Sequence, residues 1–164
     1  MKIQTKKITA LAVCAAVAMM LSFIESQIPA FVPIPGVKLG LANIAIIFAL
    51  YKFGIWQAAS ISLIRVFLSA LLFGNPLGLA YSAAGAMCSL CIMILLWRVI
   101  KMHTVGVSIA GAVTHNTAQI AVASVVMETA VIVYYLPWLI ISGVAAGIAV
   151  GLISYQLIKR IDLR

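Results

Sequence analysis

Six apolar runs fill most of the chain, at 8–24, 39–51, 55–73, 77–97, 105–127 and 135–158, and only short charged or proline-bearing breaks part them. A helix needs about 20 predominantly apolar residues to cross a bilayer's hydrocarbon core. A membrane also admits only segments that satisfy their own backbone hydrogen bonds. The expectation is therefore an all-α integral membrane protein of six transmembrane helices, forming a single transmembrane domain over residues 1–164. Composition agrees. Of 164 residues 65% are hydrophobic and 9% charged, with a mean hydropathy of +1.22, whereas soluble chains are about half apolar and about a quarter charged. No stretch is polar or long enough for a soluble catalytic domain, so function must be built from membrane helices and their connections.

Lys2, Lys6 and Lys7 followed by an apolar run imitate a signal peptide, but Glu25-Ser26-Gln27 offers no small-x-small cleavage site, and the run reads as a retained first span. Orientation follows from the basic residues. With the N-terminus cytoplasmic, six spans return the C-terminus to the same side. The inner segments then hold Lys2, Lys6, Lys7, Lys52, Arg98, Lys101, Lys159, Arg160 and Arg164, which is all eleven basic residues except Lys38 and Arg65. A multi-pass protein of the cytoplasmic (inner) membrane with both termini inside is expected. Trp56, Trp97 and Tyr155 fall at the inner interface of this arrangement, and Tyr134, Tyr135 and Trp138 at the outer one. The net charge of +8 does not indicate nucleic acid, because the basic residues sit between apolar runs rather than on one solvated face.

The segment 25–44 holds three of the five prolines, Pro29, Pro33 and Pro35. These remove backbone donors and fix φ, so helix cannot run through it. Its plain reading is a stiff turn holding two helices apart. Its length and its Lys38 also suit a loop that contacts substrate. The second span is short, since 13 residues at about 1.5 Å each reach roughly 20 Å. A cavity there, roofed by the loop, is the economical explanation, because irregular backbone at membrane depth is tolerated only where it is buried or lines a cavity.

Several polar residues lie where a membrane span does not ordinarily carry them. Arg65 is near the middle of the third span, with Ser62 and Ser69 on the same helix face. A mid-membrane arginine costs about 2.5–3.5 kcal/mol on insertion scales and must face the bundle interior. Two roles compete for it, an internal ion pair with Glu25 or Glu128 and a fork that holds an anionic ligand group. The fifth span carries His115, Asn116 and Gln119 within an arc of about 100°, beside Gly111. Interhelical hydrogen-bonding glue is one reading of that cluster, and a polar ligand pocket is the other. Nothing supplies His115 with the further ligands zinc needs.

Cys14, Cys88 and Cys91 lie inside apolar runs, where a cysteine is ordinarily buried filler. Ala12 and Ala16 form a small-xxx-small face on the first span, and Gly143, Gly147 and Gly151 a longer one on the last. Such faces serve either internal packing or docking of another membrane protein. No Walker A sequence is present. A proton-coupled transporter needs a carboxylate in the core, and Glu25 and Glu128 stand near the outer ends of their helices.

The chain resembles the family labelled heptaprenyl diphosphate synthase component I, also called the Gx transporter family, whose members resemble the substrate-binding S components of energy-coupling-factor (ECF) importers. The matching residues are Glu25-Ser26, Pro35-Gly36-Val37-Lys38-Leu39-Gly40-Leu41-Ala42-Asn43, Ser62-Leu63-Ile64-Arg65, Phe73-Gly74, and Gly111-Ala112-Val113-Thr114-His115-Asn116 with Gln119. The resemblance implies an S-component-like bundle with an outward ligand site under the first outer loop. Glu25, Lys38, Asn43, Arg65, His115, Asn116 and Gln119 would bind a small molecule of the vitamin or cofactor class. It further implies that Ala12 and Ala16 couple to a transmembrane T component backed by two cytoplasmic ATPases. ATP would be used by those partners, with no cofactor held by this chain. The family label itself points to prenyl chain elongation, which needs Mg²⁺ on clustered aspartates. With Asp162 as its only aspartate, this chain fits an accessory subunit of such a synthase, not its catalytic one.

Overall fold

The structure is a computed structural model that describes the backbone of residues 2–27, 40–73 and 76–161 and the side chains of 5–27, 40–72 and 78–161. Lys38, the three loop prolines, Gly74, Asp162 and Arg164 lie outside the described residues. Among the described residues six α-helices follow one another: α1 (Lys2–Gln27), α2 (Asn43–Lys52), α3 (Ile55–Phe73), α4 (Pro76–Leu95), α5 (Thr104–Val126) and α6 (Leu136–Arg160). No strand occurs among the described residues.

Among the described residues five stretches are long and apolar enough to cross a membrane, and the expected sixth is not: α2 is an apolar helix of 10 residues. At about 1.5 Å per residue it reaches roughly 15 Å, half a hydrocarbon core. Its residues Asn43 to Leu50 are all buried, as a helix apolar on every side requires. It is the innermost element, touching α1, α3, α5 and α6, while α4 is flanked by α3 and α5. The main core forms around it, where Ile46, Ile47 and Leu50 pack with Ala18, Ala58, Ile61, Met93, Val107 and Val150.

The connections explain the helix ends. Between α2 and α3, Phe53 and Gly54 both donate to the Ala49 carbonyl, and Gly54 takes φ +104°. An L side chain resists that conformation and glycine does not. Past α4 one π turn covers Leu96–Ile100, and Lys101 in the left-handed region lets Met102 N–H bond back to the Leu96 carbonyl. His103 caps α5 through its Nδ1, which accepts from Val105 N–H. A 3₁₀ turn, Ala130–Tyr135, leads into α6, with Thr129 accepting from Val131 N–H at its start. Pro137 lies in the first turn of α6, where no intrahelical donor is lost.

The glycines of α6 are internal packing. A Cβ on Gly143 would lie 3.5 Å from the Val113 backbone, one on Gly147 2.6 Å from Ile109 Cα and one on Gly151 2.8 Å from Val105 Cα. Antiparallel α5 and α6 therefore meet nearly backbone to backbone along this stripe. One expectation changes with the structure. Cys88 and Cys91 are exposed on α4 rather than buried, because the inward face of that helix is taken by Gly85, Ala86, Ser89 and Met93. Ala12 and Ala16 lie on an exposed face of α1, beside exposed Val13, Val17 and Met20.

Candidate functional site

The two ends of the bundle differ in chemistry. Lys6, Lys7, Lys52, Arg98, Lys101, Lys159 and Arg160 gather where α1, α3 and α5 begin and α2, α4 and α6 finish. The second end carries exposed Tyr134 and Trp138 at the start of α6. The short α2 starts inside the bundle and runs to the basic end, where Tyr51 donates to the Met102 carbonyl at 3.3 Å. The interior toward the second end lies beyond α2. Buried Thr104, Ser108 and Ser154 stand toward the basic end, whereas Arg65, His115, Asn116 and Gln119 lie level with or beyond the inner end of α2.

Arg65 is one of them. Counting outward from the turn at Phe53 and Gly54 along antiparallel α2 and α3 brings Arg65 level with the first turn of α2. It is 7% exposed, and its Nε has no hydrogen-bond partner among the described residues. Ser62 is buried one turn before it, while Ser69 is half-buried and turned to Met19 Sδ at 3.9 Å. The acid acting electrostatically on Arg65 is Glu25. Glu25 stands near the end of α1 yet is 7% exposed, because its carboxylate turns inward and accepts the Gly40 N–H ahead of α2. A position read from sequence as an outer helix end is thus a buried carboxylate. Glu128, the other candidate, is exposed, in a left-handed turn after α5. Gly40 has φ +73°, and a Cβ there would also press on Asn43 Nδ2 at 3.3 Å, so buried Asn43 and glycine at 40 define this corner together.

On α5, His115, Asn116 and Gln119 are all buried. From Thr104 at the basic end, His115 lies about 16 Å and Gln119 about 22 Å along the axis, level with and beyond the inner end of α2. They do not share one environment. Asn116 Nδ2 donates to the Leu139 carbonyl of α6 at 3.1 Å, and Gly143 leaves room for that amide. His115 and Gln119 turn to α4, where a Cβ on Gly85 would come within 3.0 Å of the imidazole and of Gln119 Cγ. Gln119 is 3% exposed, and neither Oε1 nor Nε2 has a hydrogen-bond partner among the described residues. Buried polar atoms are ordinarily bonded, so Arg65 Nε and this amide stand out as open bonding capacity.

Ser89 is a further polar residue of this interior that nothing in the sequence singles out. It is fully buried on α4 one turn from Gly85, and its Oγ has no partner among the described residues. A serine in an apolar helix carries little signal, though Gly85 and Ser89 at i and i+4 do mark a small, close-approach face. No group of three or more His, Cys, Asp or Glu among the described residues could hold a metal ion.

Fold and site together define a multi-pass helical membrane protein with charged and polar groups buried in its interior. The sequence model of the family described as heptaprenyl diphosphate synthase component I matches residues 14–157, and the chain belongs to that family. Neither the curated proteins nor the solved structures contain a match to it.

Proposed function

We propose that this chain is a ligand-capturing membrane subunit, similar in role to the substrate-binding S components of ECF importers. Its ligand is a small molecule of the vitamin or cofactor class with an anionic or polar end. The observation that carries the reading is the open bonding capacity of Arg65 and Gln119, both buried, the first level with the inner end of α2 and the second beyond it. The guanidinium fork suits an anionic ligand group, with Glu25 compensating its charge when no ligand is present. His115, Gln119 and Asn43 supply neutral polar groups, and Lys38 adds a cation from the connecting loop. Asn116 holds α5 to α6 and so fixes their positions, which favours tight binding by pre-organisation. The chain itself hydrolyses no ATP and catalyses no reaction. A transmembrane T component docked on the Ala12 and Ala16 face of α1, with two cytoplasmic ATPases, supplies the energy for import across the cytoplasmic membrane.

The test is thermal unfolding of the purified protein in detergent against vitamins, flavins, quinone precursors and prenyl diphosphates. A ligand at 100 times its Kd adds about 2.7 kcal/mol of stability. Arg65→Lys keeps the charge beside Glu25 but removes the fork, so it should leave the protein folded and lose the ligand shift. His115→Ala should reduce it. The family description favours a second reading, a noncatalytic subunit that anchors or feeds a prenyl diphosphate synthase. Stabilisation by prenyl diphosphates alone, unchanged in Arg65→Lys, would select that reading instead.

A further inference from the structure

The seam between α4 and α5 has an idle amide at its centre. Gly85 gives up its side-chain volume to the His115 ring and Gln119, and one turn further toward the basic end Gly111 gives up its own to Ser89 and Met93. A Cβ on Gly111 would lie 3.2 Å from Ser89 Oγ and 2.8 Å from the Met93 thioether. The seam thus seats polar side chains where a leucine-lined contact would have been simpler. Within it, both amide atoms of Gln119 and the hydroxyl of Ser89 are buried and unbonded among the described residues. Interhelical glue does not account for Gln119, since α5 already ties itself to α6 through Asn116 and the Leu139 carbonyl. An amide serving as glue between α4 and α5 would also show at least one bond across the seam. Ser154 shows the usual solution, donating to the Val150 carbonyl of its own helix at 2.7 Å. A glutamine side chain offers an acceptor and a donor side by side in one plane. Its complement is a group with a donor and an acceptor in the same relation.

We infer that Gln119 recognises a ligand presenting an N–H and a C=O side by side, the cis-amide edge of a cyclic imide, a lactam or a primary carboxamide. This rests on the ligand-capture reading above and narrows it. Gln119 Oε1 accepts the ligand N–H and Nε2 donates to its carbonyl, so two hydrogen bonds close one planar ring. A carboxylate has only acceptors to offer and leaves Oε1 facing like charge, and a prenyl chain has neither group. Ser89 Oγ, at the next turn, is available for a single further bond. Arg65 remains for a separate anionic substituent, so amide edge and anion are recognised by different helices.

Two matched probe pairs test this: riboflavin against N3-methylriboflavin, and nicotinamide against N,N-dimethylnicotinamide, with farnesyl diphosphate as an anion lacking the edge. Melting temperatures in detergent are read for the wild type and for Gln119→Leu, with and without each probe. In the free protein Gln119→Leu should melt no lower than the wild type, because it replaces an unbonded buried amide by an apolar group. One edge-bearing probe should stabilise the wild type and not the variant. Its N-methylated partner should bind weaker by about 10²-fold or more, as sites built around buried polar groups discriminate. A lower melting temperature for free Gln119→Leu would show that the amide is bonded in the folded protein and overturn the inference. So would a panel in which neither edge-bearing probe shifts the wild type. If farnesyl diphosphate or a methylated probe stabilises wild type and variant equally while Arg65→Lys abolishes that shift, the amide edge is wrong and ligand capture stands. If Arg65→Lys changes nothing either, both fall.

Discussion

Glu25 and Arg65 set the electrostatics of the interior. Each is buried, and Glu25 also receives the Gly40 N–H. Removing one member of a buried pair strands the other's charge, which costs about 3–5 kcal/mol, whereas replacing both with neutral groups is often neutral. Glu25→Gln and Arg65→Leu should each destabilise strongly, and the double variant less than the sum of the two. Denaturant or thermal unfolding of the four proteins should give a coupling of about 0.5–3 kcal/mol. Additive effects would mean that the two charges do not sense one another. Asn116 belongs to the same scale but to another role. Asn116→Leu removes the bond to the Leu139 carbonyl, at a cost of about 0.6–1.7 kcal/mol typical of interhelical hydrogen bonds in membranes. Arg65 and the three polar residues of α5 were legible in the sequence because charge and amides are rare in apolar runs. Their partners were not. Glu25 looked peripheral by position, and only the inward turn of its side chain to Gly40 makes it interior. The arc of His115, Asn116 and Gln119 was visible too, but α5 is held between α4 and α6, so neighbouring positions on one arc meet different helices.

At the level of elements, close approach of α5 and α6 depends on the glycine stripe. A Cβ on Gly147 would lie 2.6 Å from Ile109 Cα and 3.1 Å from Ile109 N, and backbone cannot swing aside as a side chain can. Gly147→Leu should lower stability by about 1–3 kcal/mol, the usual cost of overpacking. It should also weaken any ligand shift, since Gln119 and Asn116 ride on α5. An unchanged melting temperature and unchanged ligand response would mean that the helices separate freely. Five of the six helices cover their apolar runs to within two residues, because length and hydropathy alone determine a span. The sixth departs for a physical reason. The run 39–51 is short, but its apolar composition does not distinguish a truncated crossing from a helix buried on all sides. The α2 core settles this: Asn43 to Leu50 are enclosed by α1, α3, α5 and α6. The glycines of α6 were equally open to internal and external packing until α5 was seen against them.

For the whole molecule, Lys6, Lys7, Lys52, Arg98, Lys101, Lys159 and Arg160 collect at one end, and Arg65, His115, Asn116 and Gln119 are buried away from it. In intact cells that asymmetry predicts a basic end facing the cytoplasm. In a cysteine-free background, with Cys14, Cys88 and Cys91 replaced, a membrane-impermeant thiol reagent added outside should label Trp138→Cys and not Lys101→Cys. The reverse pattern would put the candidate site on the inner side and contradict import. Capture of a small molecule by the interior is read from the mass of the intact protein released gently from its membrane. The wild type should carry one small molecule, which Arg65→Lys lacks at unchanged folding and which stripped wild type takes up again when the compound is added back. A wild type that carries no small molecule and takes up none, or retains only lipid or prenyl diphosphate whether residue 65 is arginine or lysine, would contradict it.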